Sequence, residues 1–362
     1  MLYDLKTNIK MKLTSITFAL ITLLFPYSVN AKLKKEGRPS IKIAKNEGDK
    51  KVEILVKGKL FTAFCWPDNV MKPILYPVMS SQGTEVTRGY PMNPRADERV
   101  DHPHHVGIWF NYGDVNGYDF WNNSPAISSD KRNGFGTIKH IRINKIKEGL
   151  GKAMLSSTES WIDPSGKELL SEETEYHFIA FGTTRIIDRI TTLTATGNDV
   201  PMKDNKEGVL AIRVARQLEL PSKDEVIMTD SKGNPTSVKK MSNQGVSGSY
   251  RSSEGIKDDA VWSTRAKWMD LNGIIGNEKI AIVICDHPKN QSYPTYWHAR
   301  GYGLFAANPL GWSVFTKGKE TLNYSIAAGQ SSTFRYRIII HSGEDLTDVK
   351  INELAADFAD KY

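Results

Sequence analysis

Short runs in which apolar and polar residues alternate recur along most of the chain, and this period of two predicts an all-β protein. In "KKVEILVKGKLFTAFCW", Val52, Ile54 and Val56 fall on one face of a strand, and residues 57–59 turn the chain into a second strand. Many such runs, separated by Gly, Pro and Asn turns, predict a large antiparallel β-sandwich.

Further strands are predicted along the rest of the chain. "IKHIRINKIKEGLGKAMLSSTESW" is predicted as a hairpin, "GKELLSEETEYHFIA" and "TTRIIDRITTLTA" as neighbouring strands, and "EKIAIVICD" as a strand covered on both faces. "ETLNYSIAAGQSSTFRYRIIIHSG" is predicted as a late hairpin, and the polar stretch 221–259 as a long loop. Only residues 346–362 have helical spacing, which predicts a short C-terminal helix.

The N-terminal residues 1–31 have the features of a secretory signal peptide. Lys12 precedes the apolar run 13–25, and small residues end the segment at Ala31. A membrane anchor is the alternative, but the run is short for a membrane span. We therefore expect secretion across the inner membrane to the periplasm, and a single β-sandwich domain over residues 32–362.

The charge of the chain points away from nucleic acid. Three lysines and one aspartate lie in residues 1–31, so removing this segment lowers the net charge from +7 to +5. No basic cluster with interleaved aromatic residues occurs, and no second apolar run approaches the length of a membrane span. Cys65 and Cys285 are expected either to form a disulfide or to remain buried thiols. The oligomeric state is left open.

The densest group of histidines in the chain is in "DHPHHVGIWF", residues 101–110. In an extended segment His102 and His104 share one face and His105 lies on the other. The histidines can transfer protons, can bind a divalent metal through His102 and His104, or can tie loops together. Trp109, which follows, can form the aromatic wall of a sugar pocket.

A second Asp-His-Pro tripeptide begins "DHPKNQSYPTYWHARGYGLFAANPLGW". His287 and His298 are candidate catalytic residues, and Trp297, Arg300 and Asn308 are candidate substrate-binding residues. The alternative is that Trp297 belongs to the core and Arg300 pairs with a surface acid.

A third stretch, "DNKEGVLAIRVA", contains the best candidate for a carboxylate base. Glu207 can act as a general base if burial desolvates it, and a solvated turn is the alternative. The remaining candidates for sugar binding have two roles. Asp119, Lys206 and Arg213, like Asn308, can bond sugar hydroxyls, and Trp121, like Trp109 and Trp297, can stack on a sugar face.

These motifs, together with "WMDLNG" and "LNYSIAAGQSSTFRYRIIIHSG", resemble the PmoA-like family of exported bacterial proteins from about Val52 to Gly343. The family carries a methane oxygenase label, but a membrane methane monooxygenase subunit needs several spanning helices, and this chain has one signal-like run. The family is similar in strand content to the galactose-mutarotase-like β-supersandwiches, and the resemblance implies that fold with an open sugar-binding groove.

The resemblance also implies roles for the candidate catalytic residues. The supersandwich enzymes use histidines as general acids and a glutamate as general base. Carried over, the acid and binding candidates are His102, His104, His105, His287 and His298, and Glu207 is the base. One departure is Gly301, which stands where an acidic or polar residue is expected after Arg300.

The sequence therefore predicts a periplasmic carbohydrate-active enzyme that transfers protons at a sugar or glycoside, as an isomerase, epimerase, lyase or glycosidase. It needs no cofactor, or a divalent metal in the metal-dependent alternative. The other alternative is a carbohydrate-binding protein without catalysis. The two Asp-His-Pro tripeptides are expected to face each other across one groove.

Overall fold

Two large antiparallel sheets account for most strands in the computed structural model, which describes residues 37–46 and 48–362. The nine-stranded sheet has the order β18-β19-β12-β5-β4-β3-β2-β1-β7. Its strands are β1 (Ser40–Asn46), β2 (Lys51–Val56), β3 (Lys59–Cys65), β4 (Ile74–Val78), β5 (Ile108–Tyr112), β7 (Gly149–Leu150), β12 (Gly208–Arg213), β18 (Tyr296–Arg300) and β19 (Leu304–Asn308).

The second sheet has eight strands in the order β15-β16-β17-β21-β10-β9-β8-β6. Its strands are β6 (Thr137–Lys147), β8 (Lys152–Ile162), β9 (Glu168–Phe181), β10 (Thr184–Ala195), β15 (Ser249–Ser252), β16 (Trp268–Ile275), β17 (Glu278–Asp286) and β21 (Ser331–Ser342). The remaining elements are β11 (Val200–Met202), β13 (Val226–Thr229), β14 (Pro235–Lys240), β20 (Tyr324–Ile326), α1 (Trp312–Phe315), α2 (Asp348–Lys361) and three 3₁₀ helices at Ser129–Gly134, Arg216–Leu218 and Asp258–Val261.

The alternating residues of the two sheets meet in one core. Phe64 of β3 packs on Tyr176 of β9 with ring centroids 5.6 Å apart, and Phe110 of β5 packs on Phe334 of β21 at 5.6 Å. Period-two burial in β2 places its apolar face inside, since a strand presents alternate side chains to opposite faces. The predicted all-β antiparallel sandwich with a short C-terminal helix is confirmed.

Two local predictions are wrong. β20 pairs with β11, whereas β21 inserts between β17 and β10, so the late hairpin does not form. The predicted long loop 221–259 contains the β13–β14 hairpin and the edge strand β15. The first error arose because the pairing partners are distant in sequence, and the second because the strands are mostly polar.

Residues Arg38–Tyr362 form one compact unit. The predicted signal peptide, residues 1–31, lies outside the described residues. Among the residues that are described, no helix is long and apolar enough to cross a membrane. Cys65 and Cys285 are both free thiols, and burial raises the pKa of each to about 12.

Candidate functional site

Residues Asp101–His105, here called the histidine loop, lead into β5 and are held by a buried arginine. Arg88 donates hydrogen bonds to the carbonyl oxygens of Asp101 and His102, both at 2.9 Å, and of His105 at 3.0 Å. It also donates to the Asp101 carboxylate at 2.6 Å. His102 has a φ of +40°, which non-glycine residues seldom adopt. The cation thus fixes a loop conformation that the chain alone disfavours.

Lys72 holds the same loop from another side. Its ammonium group donates to the His104 carbonyl oxygen at 2.7 Å, and its side chain is fully buried. In the described part of the chain no carboxylate lies within ion-pair distance of it. Burial lowers the pKa of Lys72 to about 7, and the charge of Asp119 only partly opposes this effect.

Four aromatic rings form a column that runs from the surface into the core, here called the ring stack. Tyr302 lies parallel to His102 at 5.2 Å, His102 to His105 at 4.7 Å, and His105 to Trp109 at 5.2 Å. The His102 side chain is 41% exposed, whereas His105 is 1% exposed. His102 is therefore the ring of the pair that a ligand can reach.

The two inner histidines of the loop are kept neutral. Trp121 Nε1 donates to His105 Nε2 at 3.2 Å, and the Arg213 guanidinium lies 3.3 Å from His105 Nδ1. Burial, and then nearby positive charges, hold the pKa of His105 well below its ordinary value. Burial and the charge of Lys72 lower the pKa of His104 to about 2. Neither is suited to donating a proton near neutral pH.

Glu207 lies beside this loop because of the strand order β18-β19-β12-β5, which places the start of β12 between β5 and β19, with β18 one strand beyond β19. Its Oε2 is 3.7 Å from His298 Nδ1, and its Oε1 is 3.4 Å from Lys206 Nζ. Burial raises the pKa of Glu207, and Lys206 opposes the rise. Burial lowers the pKa of His298 to about 3. The charge of His102 influences both pKa values, so His102 lies within electrostatic range of Glu207 and His298.

Five of the predicted substrate-binding side chains are fully buried: Trp109, Trp121, Arg213, Trp297 and Asn308. The Asn308 amide donates to the carbonyl oxygens of Asn205 at 2.8 Å and Lys206 at 2.9 Å, and accepts from Leu310 N at 3.0 Å. Its hydrogen-bonding groups are engaged in holding the segment that carries Glu207. Trp297 donates to the Ala266 carbonyl oxygen at 3.1 Å within the core.

Asp119 lies near the same site, and both oxygens of its carboxylate accept hydrogen bonds from neighbouring residues. Its Oδ1 accepts from the backbone N–H groups of Trp121 at 2.8 Å and Asn122 at 2.9 Å, and its Oδ2 accepts from the Asn122 amide at 2.7 Å. Burial raises the pKa of Asp119 against these hydrogen bonds. Asp119 thus stabilises the turn at residues 119–122, and its charge acts on both Lys72 and Glu207.

The second Asp-His-Pro tripeptide lies elsewhere, after β17 of the eight-stranded sheet. Asp286 accepts hydrogen bonds from the backbone N–H groups of His287 at 3.0 Å and Thr295 at 2.8 Å, and so closes its own loop. The His287 ring packs edge-on against Phe358 of α2 at 5.0 Å. The expectation that the two tripeptides face one groove is therefore wrong: His287 joins a loop to the C-terminal helix.

A cavity of about 500 Å³ adjoins the ring stack through Tyr302. Arg300 lines it and lies over the Trp262 ring at 5.5 Å. Of the predicted residues the structure thus brings together the histidine loop, Glu207, Lys206, Arg213 and His298, and places Arg300 at the neighbouring cavity.

Three residues of the site were missed by the sequence reasoning: Arg88, Lys72 and Tyr302. Tyr302 lies within the aromatic-rich second cluster, so its position next to Arg300 was a usable signal. Arg88 contacts His102, which is 14 positions later in the chain, and Lys72 contacts His104, which is 32 positions later. No local sequence pattern marks either residue.

The metal alternative has no built site here. Within residues 37–46 and 48–362, no group of three or more His, Cys, Asp or Glu side chains is arranged to hold a metal ion. The His102 and His104 rings are 5.6 Å apart at an interplanar angle of 79°. His102 Nδ1 instead lies 3.4 Å from the Asp101 carboxylate.

Lys72 gives a prediction for the pH dependence of stability. Its pKa falls from the ordinary 10.5 to about 7 on folding, so the unfolded chain binds more protons than the folded chain between these values. The wild type should therefore gain stability over Lys72→Met as the pH rises from about 7 towards 10. Urea unfolding of both proteins across this range measures the difference. Lys206→Met, which removes an exposed lysine, is the control, and parallel stability curves for wild type and Lys72→Met would contradict the prediction.

The fold and the site together define a β-sandwich protein with a cation-held histidine loop beside a desolvated glutamate. The chain belongs to DUF6807, a family of unknown function, whose sequence profile matches residues 51–356. The resemblance to PmoA-like proteins stays a prediction. No curated protein matches the sequence.

Among solved structures, the chain is similar to the galactosidase domain of the α-galactosidase–sucrose kinase AgaSK, with 10% identity, a TM-score of 0.39, and coverage of 83% of this chain and 42% of that one. It is also similar to the GH36 α-galactosidase AgaA from Geobacillus stearothermophilus, with 9% identity, a TM-score of 0.32 and coverage of 84% and 41%. The Slr1438 protein from Synechocystis matches with 10% identity, a TM-score of 0.28 and coverage of 85% and 97%. The chain thus spans less than half the length of these galactosidases.

Proposed function

We propose that this protein acts on a sugar or glycoside by proton transfer, with Glu207 as the base and His102 as the acid. The observation that carries the proposal is a largely buried carboxylate, 3.7 Å from His298 Nδ1, that lies within electrostatic range of the 41% exposed His102 side chain. A base with a raised pKa binds a proton more tightly than a free glutamate does, which favours abstraction near neutral pH. Isomerisation, epimerisation, elimination and glycosidic cleavage can each use an acid and a base in this way.

The other charged groups of the site support this division of roles. His298 is buried and neutral, so it faces Glu207 without giving it a fixed positive partner. The Lys206 side chain is 53% exposed, lies 3.4 Å from the Glu207 carboxylate and opposes the rise in its pKa. Tyr302, the outermost ring of the ring stack, lines the cavity and is an aromatic side chain of the kind that sugars stack on. Export to the periplasm by residues 1–31 forms part of the proposal and fits an extracellular carbohydrate as substrate.

The test is a panel of monosaccharides and disaccharides incubated with the purified protein in D₂O and followed by ¹H NMR. Proton transfer at carbon appears as loss of a C–H signal, and cleavage or elimination appears as new anomeric or vinylic signals. We expect one sugar class to react. Binding across the panel with no exchange and no new product would overturn the proposal in favour of a carbohydrate-binding protein. Activity that a chelator abolishes and that a divalent metal restores would instead favour the metal-dependent alternative.

A further inference from the structure

Four buried arginines between the histidine loop and the cavity share only two carboxylates, and together they are called the arginine cluster: Arg88, Arg99, Arg213 and Arg216, with Asp101 and Glu219. Asp101 pairs with Arg88 at 2.6 Å and with Arg213 at 2.7 Å. Glu219 pairs with Arg99 at 2.6 Å and with Arg216, and lies 4.0 Å from Arg213.

The cluster therefore has two more positive than negative charges. The guanidinium groups are at most 7% exposed, so solvent screens this excess poorly. Two further acids, Glu85 and Glu98, pair with Arg95 instead. A buried positive excess of this kind is stabilised when an anion binds beside it.

Arg99 connects the cluster to the cavity. Its side chain is 6% exposed, and its Nε donates to Glu219 at 2.6 Å. Within the described part of the chain its two terminal nitrogens have no hydrogen-bond acceptor, although the side chain lines the cavity. A guanidinium recognises carboxylate, sulfate or phosphate by donating two parallel hydrogen bonds, and these two nitrogens remain for that purpose.

The mouth of the cavity adds further cations. Arg300 lies against Trp262, and Lys223 lines the rim, whereas the acids of the lining are the exposed Asp224 and Asp259. Trp262 Nε1 is a buried donor without an acceptor in the described protein. The cavity wall thus presents three cationic side chains against two carboxylates, with unused donors on the inner side.

We propose that this cavity binds an anionic substituent, a carboxylate, sulfate or phosphate, of the sugar that reaches Glu207 and His102. Tyr302 lines the cavity and also forms the outer ring of the ring stack, so one ligand can occupy both places. The inference rests on the proposed function and names its substrate class: an acidic sugar whose charged group lies on Arg99.

The test compares binding of matched acidic and neutral sugars by isothermal titration calorimetry. Sodium glucuronate is paired with glucose, sodium galacturonate with galactose, and glucose 6-phosphate and glucose 6-sulfate extend the series. We expect at least one acidic sugar to bind about tenfold or more tightly than its neutral counterpart, because charge-assisted hydrogen bonds are roughly twice as strong as neutral ones. Raised NaCl should reduce this preference, since salt screens the charges at the mouth.

Two double variants and one single variant locate the site. Arg300→Gln with Lys223→Gln removes the exposed cations at the mouth, and Arg142→Gln with Lys139→Gln makes the same charge change on the exposed face of β6. The first should lower affinity for the acidic sugar about tenfold and leave the neutral sugar unaffected, and the second should change neither. Arg99→Met should abolish the preference, and the mouth variant decides the question if Arg99→Met does not fold.

Equal binding of acidic and neutral sugars, or equal effects of the two double variants, would overturn the inference. Binding of free inorganic sulfate and phosphate with no acidic sugar bound would also overturn it. These outcomes are separable from the proposed function. A neutral sugar that reacts in a Glu207-dependent way leaves the proposed function intact and refutes the anionic substituent. An acidic sugar that binds through Arg300 but never reacts supports the site for an anionic substituent and refutes the proposed function.

Discussion

Replacing Glu207 with glutamine is expected to lower turnover of the sugar substrate by about 10²- to 10⁴-fold, the usual contribution of a general acid or base. Glutamine keeps the size of the side chain but cannot take a proton. The backbone contacts of Glu207, its N–H to Asn205 Oδ1 at 3.0 Å and its carbonyl oxygen to Gly113 N at 2.8 Å, remain in the variant. The fold should therefore persist, and the loss should appear in kcat rather than in KM.

Glu173→Gln provides the matched control, since Glu173 is an exposed carboxylate on β9. Initial rates for wild type and both variants, with thermal unfolding recorded alongside, distinguish the roles. If Glu207→Gln retains the wild-type rate while remaining folded, Glu207 is not the base and the proposed mechanism is wrong.

The second large effect is expected on stability, in Arg337→Met. Arg337 of β21 donates to both oxygens of Asp188, at 2.6 and 2.7 Å, and to the Leu354 carbonyl oxygen at 2.6 Å in α2. Arg337 and Asp188 are both 0% exposed. Removing one partner leaves a buried carboxylate without its counter-charge, which costs about 3–5 kcal/mol of unfolding free energy.

Urea unfolding measures this loss, with Arg335→Met on the same strand as the control. The Arg335 guanidinium is half-buried and donates to the Thr333 carbonyl oxygen at 3.3 Å, so its removal should cost little. Adding Asp188→Asn to Arg337→Met should recover part of the loss, because it removes the stranded charge. A similar free energy of unfolding for the Arg337 and Arg335 variants would contradict the prediction.

The strands could be predicted from the sequence where pairing is local. Alternation and a short turn predict β2–β3 and β9–β10, and both pairs form. The late hairpin failed because β21 has its partners β10 and β17 more than 40 residues away in the chain. Propensity and periodicity describe a strand but contain no information on which distant strand completes its hydrogen bonds.

The site was predictable in its residue types and only partly in its assembly. Glu207 and His298 meet near the histidine loop because β12 and β18 flank β19, a strand order that no local pattern encodes. His287 has the same tripeptide context as His102, yet it follows a strand of the other sheet. Identical short motifs therefore took different roles, because the surroundings of a side chain depend on tertiary structure.

The ring stack has a consequence for spectroscopy. The His102 ring lies between two aromatic planes inclined by only 2° and 3° to it, so the ring currents of both neighbours shield its carbon-bound protons. These signals should stand upfield of the positions of an exposed, unstacked histidine in an NMR spectrum. A ligand that displaces Tyr302 or inserts beside it would shift them. The molecule thus carries an internal reporter of occupancy, which can be followed without a label and before any substrate has been identified.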